Sequence, residues 1–303
     1  MKRTIYFFII LAFLSALLTQ AGSDPAFADQ PHVSATGKHS GLPATPDHSQ
    51  TIAAVKSFRC EDVTVVPLSE CQALVDLYAS TNGAGWTTNT NWLSDPDIST
   101  WFGITVTEGH VTVIELYGNN VVGVLPDTLD QLPYLIELCL VNNNVSGQIP
   151  DSLGNIFALQ KLSLGNNAFS GSIPATLSQL SGLVKLSVDN NQLTGTLPES
   201  LGDLSLLERL EIHNNAISGE LATSLGQLTE LEILIMYNNL LSGRIPLSYA
   251  NLTKVTAFYF YKTQICEPTE PDLLAWKDQV GDGWHGTELI CMDFHHYLPL
   301  LFR

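Results

Sequence analysis

The stretch from Leu159 to Gly182, LQKLSLGNNAFSGSIPATLSQLSG, decides the fold. Its apolar residues follow neither the period of a helix nor that of a strand over the whole stretch. They follow a longer rule, LxxLxLxxNxLxGxIPxxLxxLxx, which returns when the frame moves by 24 residues in either direction. Six copies fill residues 111–254 without an insertion or deletion, starting at Val111, Leu135, Leu159, Leu183, Leu207 and Leu231. This fixed period predicts a solenoid of stacked repeats.

The first six positions of each repeat alternate as a short β-strand does, with Leu162 and Leu164 inward and Lys161 and Ser163 outward. Because one repeat cannot bury its apolar face alone, the strands are expected to stack into a parallel sheet on a concave face. Short 3-10 or extended segments then form the convex face. Seven apolar positions in six repeats supply 42 inward side chains, which is enough core without a cofactor. The predicted fold is a curved α/β solenoid, capped at both ends.

Asn, Gly and Pro recur at fixed positions of the frame. An inward Asn follows each strand and is expected to bond backbone groups where the chain turns, so that stacked copies form a ladder. The ladder consists of Asn119, Asn143, Asn167, Asn191, Asn215 and Asn239. Each repeat also has a Gly suited to a bend with positive φ, for example Gly171. A Pro keeps the convex backbone extended, and Ala222 replaces it in the fifth repeat.

The core xxNxLxGxIP resembles leucine-rich repeats of the plant-specific type. Residues 60–110 resemble the amino-terminal cap that precedes such repeats, through Glu70-Cys71-Gln72-Ala73-Leu74, Trp86, Asn91-Trp92-Leu93 and Trp101-Phe102-Gly103. Ala73, Leu74, Leu77 and Tyr78 fit one face of a cap helix, and the tryptophans are expected to cover the open edge of the first repeat. The resemblance to receptor ectodomains and inhibitor proteins implies a recognition module for a protein or peptide.

The amino terminus reads as a secretory signal peptide over residues 1–28. Lys2 and Arg3 precede an apolar run, and Ala26-Phe27-Ala28 offers a cleavage site. Ala21 is an alternative cleavage point, and a membrane anchor is the competing interpretation, although the run is short for a span. Residues 29–59 are rich in Ser, Thr, Ala, Pro, Gly and His and show no periodicity, which predicts a flexible linker.

The chain has five cysteines, an odd number that leaves one unpaired. We expect Cys60 to pair with Cys71 beside the cap helix, and Cys266 to pair with Cys291 in the carboxy-terminal region. Two such bridges are typical of a protein outside the cytosol. Cys139 is the odd cysteine, at an outward strand position. Either it is a thiol partly covered by neighbouring strands, or it is reactive or intermolecular.

Residues 255–303 are expected to form a partial seventh repeat, a cap and a tail. Thr263 replaces the ladder Asn, and Asp272 to Val280 reads as a helix. The segment around Cys266 and Cys291 resembles the disulfide-closed cap of secreted repeat proteins. The tail HHYLPLLFR, from His295 to Arg303, is either a sorting signal or a segment packed on the cap. His295 and His296 with Asp293 are not expected to bind a metal.

The outward strand positions are the candidate binding surface. Neighbouring strands lie about 4.8 Å apart, so Lys161, Lys185 and Arg209 are expected to form a basic row. Ile233, Ile235, Tyr237, Tyr259 and Tyr261, with His213 beside them, are expected to form an apolar and aromatic patch. An acidic or mixed segment of a partner would lie along the row and place an apolar anchor on the patch. The alternative is that these cations are merely solvated and that the cap covers the tyrosines.

Composition and motifs limit the classes of function. The formal net charge of −17 argues against nucleic acid and anionic membranes as partners, and a soluble monomer is expected. The sequence has no GxSxG, phosphate-binding loop or HExxH motif and no metal-spaced Cys/His set. We therefore expect no enzyme, no cofactor and no metal site. The predicted function is a secreted or cell-surface recognition module for protein or peptide; glycan binding or a structural surface role is the alternative.

Overall fold

The structure, a computed structural model, describes residue 55 and residues 57–290. Several sequence predictions therefore concern residues outside these ranges. They are the signal peptide (1–28), the linker up to residue 54, Cys291, Asp293 and the tail from His295 onward.

Short strands and 3-10 helices alternate between two longer helices. The helices are α1 (Leu68–Ser80) and α2 (Pro271–Val280). The strands are β1 (Ile104–Thr107), β2 (His110–Glu115), β3 (Val122–Val124), β4 (Glu137–Cys139), β5 (Asn144–Gln148), β6 (Lys161–Ser163), β7 (Ala168–Gly171), β8 (Lys185–Ser187), β9 (Gln192–Leu193), β10 (Arg209–Glu211), β11 (Ser218–Gly219), β12 (Ile233–Ile235), β13 (Leu240–Arg244), β14 (Ala257–Tyr259), β15 (Gln264–Cys266) and β16 (Trp284–His285). Each repeat has a 3-10 helix on the convex side: Asp127–Gln131, Asp151–Asn155, Ala175–Gln179, Glu199–Asp203, Thr223–Gln227 and Leu247–Asn251.

One long sheet organises the described chain. Its nine strands follow the order β1-β2-β4-β6-β8-β10-β12-β14-β16, and every pair is parallel except the antiparallel β1–β2 hairpin. Glu108 and Gly109 turn that hairpin, both with positive φ, which is the geometry that tight two-residue hairpin loops require. Two smaller parallel sheets, β3-β5-β7-β9 and β11-β13-β15, run along the side where the chain leaves the strands.

The predicted apolar positions form the core. All 42 inward side chains of the six repeats are buried, and the most exposed of them, Leu125, reaches only 6%. Val255, Phe258 and Phe260 continue this frame and are also buried. Burial of one apolar stripe against the next is the main stabilising contribution in a solenoid. The structure therefore confirms the predicted leucine-rich architecture.

The asparagine ladder forms through side-chain to backbone hydrogen bonds. Asn191 is representative: its Nδ2 donates to the carbonyl oxygens of Leu164, Val188 and Asp189 at 3.0–3.1 Å. Its Oδ1 accepts from the amide of Phe169 at 2.9 Å. From the second repeat onward, each ladder Asn thus satisfies backbone groups of its own coil and of the preceding coil, which otherwise would be buried without partners. Asn119 of the first repeat instead bonds the backbone of Thr88 in the cap. In the seventh coil the Thr263 hydroxyl bonds only within its own turn, to Phe260 and Ile265.

Aromatic clusters cover both ends of the described solenoid. At the amino-terminal end, Tyr78 of α1 packs with Trp86 and Trp92, whose ring contacts Trp101 at 4.8 Å. Cys60 and Cys71 form the predicted disulfide beside α1. These contacts agree with the predicted role of the cap tryptophans, because they remove the apolar edge of the first coil from water.

At the carboxy-terminal end, Trp276 of α2 contacts Tyr249 and Phe258 and donates its indole N–H to the Leu252 carbonyl. Trp284 then packs on Phe258 and Trp276. The sequence analysis predicted α2 but not β16, which extends the main sheet past the last repeat. Cys266 is disulfide-bonded, and its predicted partner lies outside the described residues.

Candidate functional site

Three rows of outward side chains cross the main sheet and define its solvent side, which we call the sheet face. The first row is Val113, Glu137, Lys161, Lys185, Arg209, Ile233 and Ala257. The middle row is Glu115, Cys139, Ser163, Ser187, Glu211, Ile235 and Tyr259. The last row, at the turns that follow the strands, is Tyr117, Val141, Gly165, Asp189, His213, Tyr237 and Tyr261. The registers are those that the 24-residue frame predicts.

The structure brings the three basic side chains of the first row together, but acidic neighbours hold two of them. Lys161 Nζ lies 3.5 Å from a Glu137 carboxylate oxygen. An Arg209 guanidinium nitrogen lies 3.1 Å from Glu211, whose side chain is only 14% exposed. Lys185 has no ion pair with any residue that the structure describes. The sheet face therefore has much less free positive charge than the sequence of the row suggests.

Cys139 lies on the sheet face, half-buried and unpaired. Burial raises the pKa of the Cys139 thiol, and the charges of Glu115 and Glu137 act in the same direction, while the Val141 backbone and Lys185 oppose it. A thiol is reactive mainly as the thiolate. The environment of Cys139 thus favours the unreactive protonated form.

The aromatic patch consists of Ile233, Ile235, Tyr237, Tyr259 and Tyr261, all half-buried. Its last-row rings form a stack that begins at His213. The His213 ring lies 4.5 Å from that of Tyr237, and Tyr237 lies 4.4 Å from Tyr261 at an angle of 8° between the planes. Burial, followed by the charge of Tyr261 and the hydrogen bond with it, raises the pKa of Tyr237 to about 12. The faces of the inner rings are covered, so the stack offers ring edges and hydroxyl groups to solvent.

A carboxylate ends the stack on the other side of His213. His213 Nε2 lies 3.7 Å from Asp189 Oδ2, and the two side chains are 14% and 13% exposed. His213 Nδ1 is buried and has no hydrogen-bond partner among the described residues. Burial holds the pKa of His213 below its ordinary value, although the charges of Asp189 and Glu211 act in the opposite direction. Burial therefore favours the neutral form of the imidazole.

Hydrogen bonds fix the Asp189 carboxylate in place. Ser187 Oγ donates to its Oδ1 and Asn190 Nδ2 donates to its Oδ2, each at 2.6 Å. Asn190 in turn accepts from Asn214, which accepts from Asn238, at 2.7 and 2.8 Å. This chain of amides is polarised toward the carboxylate, and each bond in such a chain strengthens the next. Gly165 leaves room for the carboxylate, because a Cβ there would lie 2.6 Å from Asp189 Oδ1.

A cavity of about 560 Å³ adjoins the last ring of the stack, and we call it the end cavity. Its lining includes Tyr261, Trp284, His285, Asp278 and Glu288. The cavity also contains an ion pair. Glu267 accepts from Lys277 Nζ at 2.9 Å and from the Trp284 indole N–H at 3.0 Å. The Lys277 ammonium also lies 5.2 Å from the centre of the Trp284 ring, a distance at which a cation is attracted to an aromatic face.

The chemistry of these groups fits binding. The Ser187 hydroxyl donates its hydrogen bond to Asp189 rather than to His213. The three side chains therefore do not form the relay that activates a nucleophilic hydroxyl. Within residues 57–290 there is no group of three His, Cys, Asp or Glu side chains that could hold a metal ion. The described helices include none that is both long and apolar enough to span a bilayer.

Sequence analysis missed two parts of this site. Asp189 stood at an outward frame position, but its contact with His213 crosses to the next coil, and its hydrogen bonds from Ser187 and Asn190 depend on side-chain conformation. The row of Asn residues just before the ladder was the available signal, since Asn190, Asn214 and Asn238 repeat at the same spacing and all have positive φ. The end cavity had no signal, because it depends on the way α2 and β16 return to the sheet.

The fold and the ladder define the architecture as a solenoid of leucine-rich repeats, and the repeats resemble those of the plant-specific type. A family model for the leucine-rich repeat matches residues 134–156, 158–180 and 182–204. No curated protein sequence matches the chain.

Solved structures place the chain beside plant receptor ectodomains. The leucine-rich repeat ectodomain of the Arabidopsis thaliana receptor kinase GASSHO1/SCHENGEN3, in complex with CASPARIAN STRIP INTEGRITY FACTOR 2, is 27% identical with a TM-score of 0.61; the match covers 67% of this chain and 25% of that one. The Arabidopsis receptor kinase HAESA, in complex with the peptide hormone IDA and the co-receptor SERK1, is 29% identical with a TM-score of 0.59, covering 68% and 35%. Pollen Receptor Kinase 3 is 27% identical with a TM-score of 0.54, covering 73% and 97%.

The chain thus spans about a quarter of the GASSHO1/SCHENGEN3 structure, about a third of the HAESA structure and nearly the whole length of the pollen receptor structure. What these neighbours share with it is the repeat scaffold.

Proposed function

We propose that the protein is an extracellular recognition module that binds an extended peptide, or an extended segment of a protein, on the sheet face. The observation that carries this proposal is the aromatic patch. Two Ile and three Tyr side chains lie together on the solvent side of the sheet, where packing of the core does not require them. Patches of this composition are where binding energy concentrates in interfaces. The complex of the structural neighbour HAESA with the peptide hormone IDA supports the same assignment.

The geometry of the patch favours a peptide over a glycan. Sugars stack on open aromatic faces, whereas Tyr237 lies between His213 and Tyr261. The exposed ring edges and phenol groups suit hydrogen bonding to a backbone and contact with apolar side chains. A peptide also gains from the exposed Asn238 amide beside the patch, which can bond to its backbone.

Secretion or display at the cell surface belongs to the same proposal. The signal-like amino terminus, the Cys60–Cys71 disulfide and the acidic composition all suit an oxidising extracellular setting. The neighbours described as ectodomains of membrane receptors give further support. Cell fractionation of the producing organism tests this part directly, since recovery of the mature chain only from cytosol would contradict it.

Capture with matched variants tests the binding surface. The chain is immobilised and exposed to proteins from the surroundings of the producing cells, beside two variants. One carries Lys161, Lys185 and Arg209 changed to Glu, and the tyrosine variant carries Tyr237, Tyr259 and Tyr261 changed to Ala. Circular dichroism melting first establishes that both variants fold.

We expect the tyrosine variant to lose the partner, because truncation of central aromatic anchors typically costs more than about 2 kcal/mol each. The variant with the reversed row is expected to change the salt dependence of binding. Equal retention by the parent and both variants would move the site away from the sheet face.

A further inference from the structure

We propose that the segment recognised by the sheet face is cationic and apolar: one basic residue contacts Asp189, apolar residues cover the aromatic patch, and a second basic residue enters the end cavity. This inference rests on the proposed function and names the chemistry of the partner. It replaces the acidic segment that the row of Lys161, Lys185 and Arg209 suggests.

The charge of the sheet face favours a cationic partner. The three rows contain four carboxylates, Glu115, Glu137, Asp189 and Glu211, against the three basic side chains. Ion pairs with Glu137 and Glu211 occupy two of those three. The face therefore has no net positive charge in either protonation state of His213, and the whole chain has a formal charge of −17. Long-range attraction therefore draws a cationic segment to the face.

Asp189 is the group that a cation would contact. Among the carboxylates of the three rows, it is the one nearest the aromatic patch without a Lys or Arg partner among the described side chains, because Glu211 pairs with Arg209. Burial disfavours the charged form of His213, which lies 3.7 Å away. Ser187 and the chain of three Asn amides hold it rigidly. A preorganised carboxylate loses little entropy on binding, and a partly desolvated ammonium or guanidinium forms a strong charge-assisted hydrogen bond with it.

The end cavity provides the second contact. Glu267 is neutralised by Lys277, while Asp278 and Glu288 line the cavity as exposed carboxylates. Tyr261 and Trp284 add aromatic surface to the same cavity, and aromatic rings attract cations as carboxylates do. A volume of about 560 Å³ is ample for one Lys or Arg side chain.

The spacing of the two contacts follows from the sheet. Asp189 and Tyr261 lie three strands apart, which is about 14 Å at about 4.8 Å per strand, and the end cavity lies about one strand further. An extended chain advances about 3.3 Å per residue. The two contacts are thus about 19 Å apart, and the two basic residues are separated by about six residues, with apolar residues between them on Ile233, Ile235 and Tyr259.

Selection from a random dodecapeptide library displayed on phage tests this inference directly, because the library supplies every candidate sequence. The full chain, the tyrosine variant, Asp189→Asn and Asp203→Asn are used as targets. Asp203→Asn is the matched control, because Asp203 is an exposed carboxylate in the 3-10 helix of the same repeat. Enriched peptides are then synthesised, and their Kd values are measured by fluorescence anisotropy at low and high salt.

We expect enriched peptides to carry Lys or Arg at the stated spacing around an apolar centre. Asp189→Asn should weaken their binding roughly tenfold, and Asp203→Asn less than about twofold. Peptides lost on the tyrosine variant but rich in Asp or Glu, or indifferent to Asp189→Asn, would overturn this inference and leave the proposed function intact. A selection that yields no peptide sensitive to the tyrosine variant would contradict the proposed function itself.

Discussion

The imidazole of His213 stacks on the ring of Tyr237 at 4.5 Å, while its Nε2 lies 3.7 Å from the Asp189 carboxylate. One histidine thus joins the aromatic patch to the carboxylate that we assign to cation binding. Its second nitrogen is buried without a partner among the described residues. The neutral ring suits this position, since a protonated ring would need an acceptor at both nitrogens.

The pKa of His213 should accordingly lie below the ordinary value of 6.5, because burial outweighs the attraction of Asp189 and Glu211. Asp189→Asn should lower the pKa of His213 further, because Asp189 raises it more than Glu211 does. A pH titration of the histidine ring resonances by NMR measures both values. A His213 pKa above 6.5, or one that rises in Asp189→Asn, would contradict this account.

The same shift has a consequence for stability. The folded pKa of His213 is below the unfolded value, so the unfolded chain binds the proton first as pH falls. The contribution of neutral His213 to the free energy of unfolding is therefore complete above the pKa that His213 has in the unfolded chain. It is lost as the pH falls from that value through the pKa of His213 in the folded protein. His213→Gln should therefore show a smaller decrease in unfolding free energy between pH 8 and pH 5 than the parent. Urea unfolding at several pH values measures the difference.

Removal of one ladder residue should lower the free energy of unfolding. Asn191→Ala deletes three donated bonds and one accepted bond to backbone groups, and buried backbone groups without partners cost about 1–3 kcal/mol each. We expect a loss of about 3 kcal/mol in urea unfolding, after partial relaxation. The neighbouring Asn166 is exposed with φ of 54°, so Asn166→Ala should cost only about 1 kcal/mol of backbone strain. Equal losses for the two would argue against the ladder.

Ala222 is a site where a proline should stabilise the protein. Its φ of −60° matches that of Pro198 and Pro246 at the same position of neighbouring repeats. Ala222→Pro should raise the unfolding free energy by about 0.4–1 kcal/mol, because it restricts the unfolded chain. Ala216→Pro is the control in the same repeat, and it should destabilise, since the Ala216 amide donates to Leu193 at 2.8 Å. Destabilisation by both would show that the fifth repeat differs from its neighbours.

The Cys60–Cys71 disulfide should stabilise the amino-terminal cap. It joins residues 11 positions apart, and closing a loop of this length contributes about 3 kcal/mol in the chain-entropy model. Replacing both cysteines by Ser should lower the melting temperature, whereas Cys139→Ser should not. Calorimetry under non-reducing conditions compares the three proteins. A melting temperature that depends only on Cys139 would point to an intermolecular role for that thiol.

Much of the fold could be predicted because each repeat is specified by a short local pattern of apolar residues. Leu162 and Leu164 alternate along one strand, and the neighbouring repeats have the same alternation, so strand register follows from the period. The positions of Lys161, Lys185, Arg209 and Tyr237 on the sheet face followed by the same rule. Strand β16 could not be predicted, because Trp284 and His285 join the sheet only through the packing of α2 against the last coil.

The sequence by itself determined the solenoid, its inward core, the asparagine ladder and the identity of the outward side chains. Periodicity suffices for these, since each repeat contacts only its neighbours in a fixed register. Tertiary structure alone decided which charges are free. Lys161 and Arg209 find carboxylates in adjacent positions, while Asp189 is held by Ser187 and Asn190 of its own coil. Asn190 is in turn bonded by Asn214 of the next coil. Side-chain pairing depends on distances of a few ångströms within and between strands, and a one-dimensional pattern does not contain those distances.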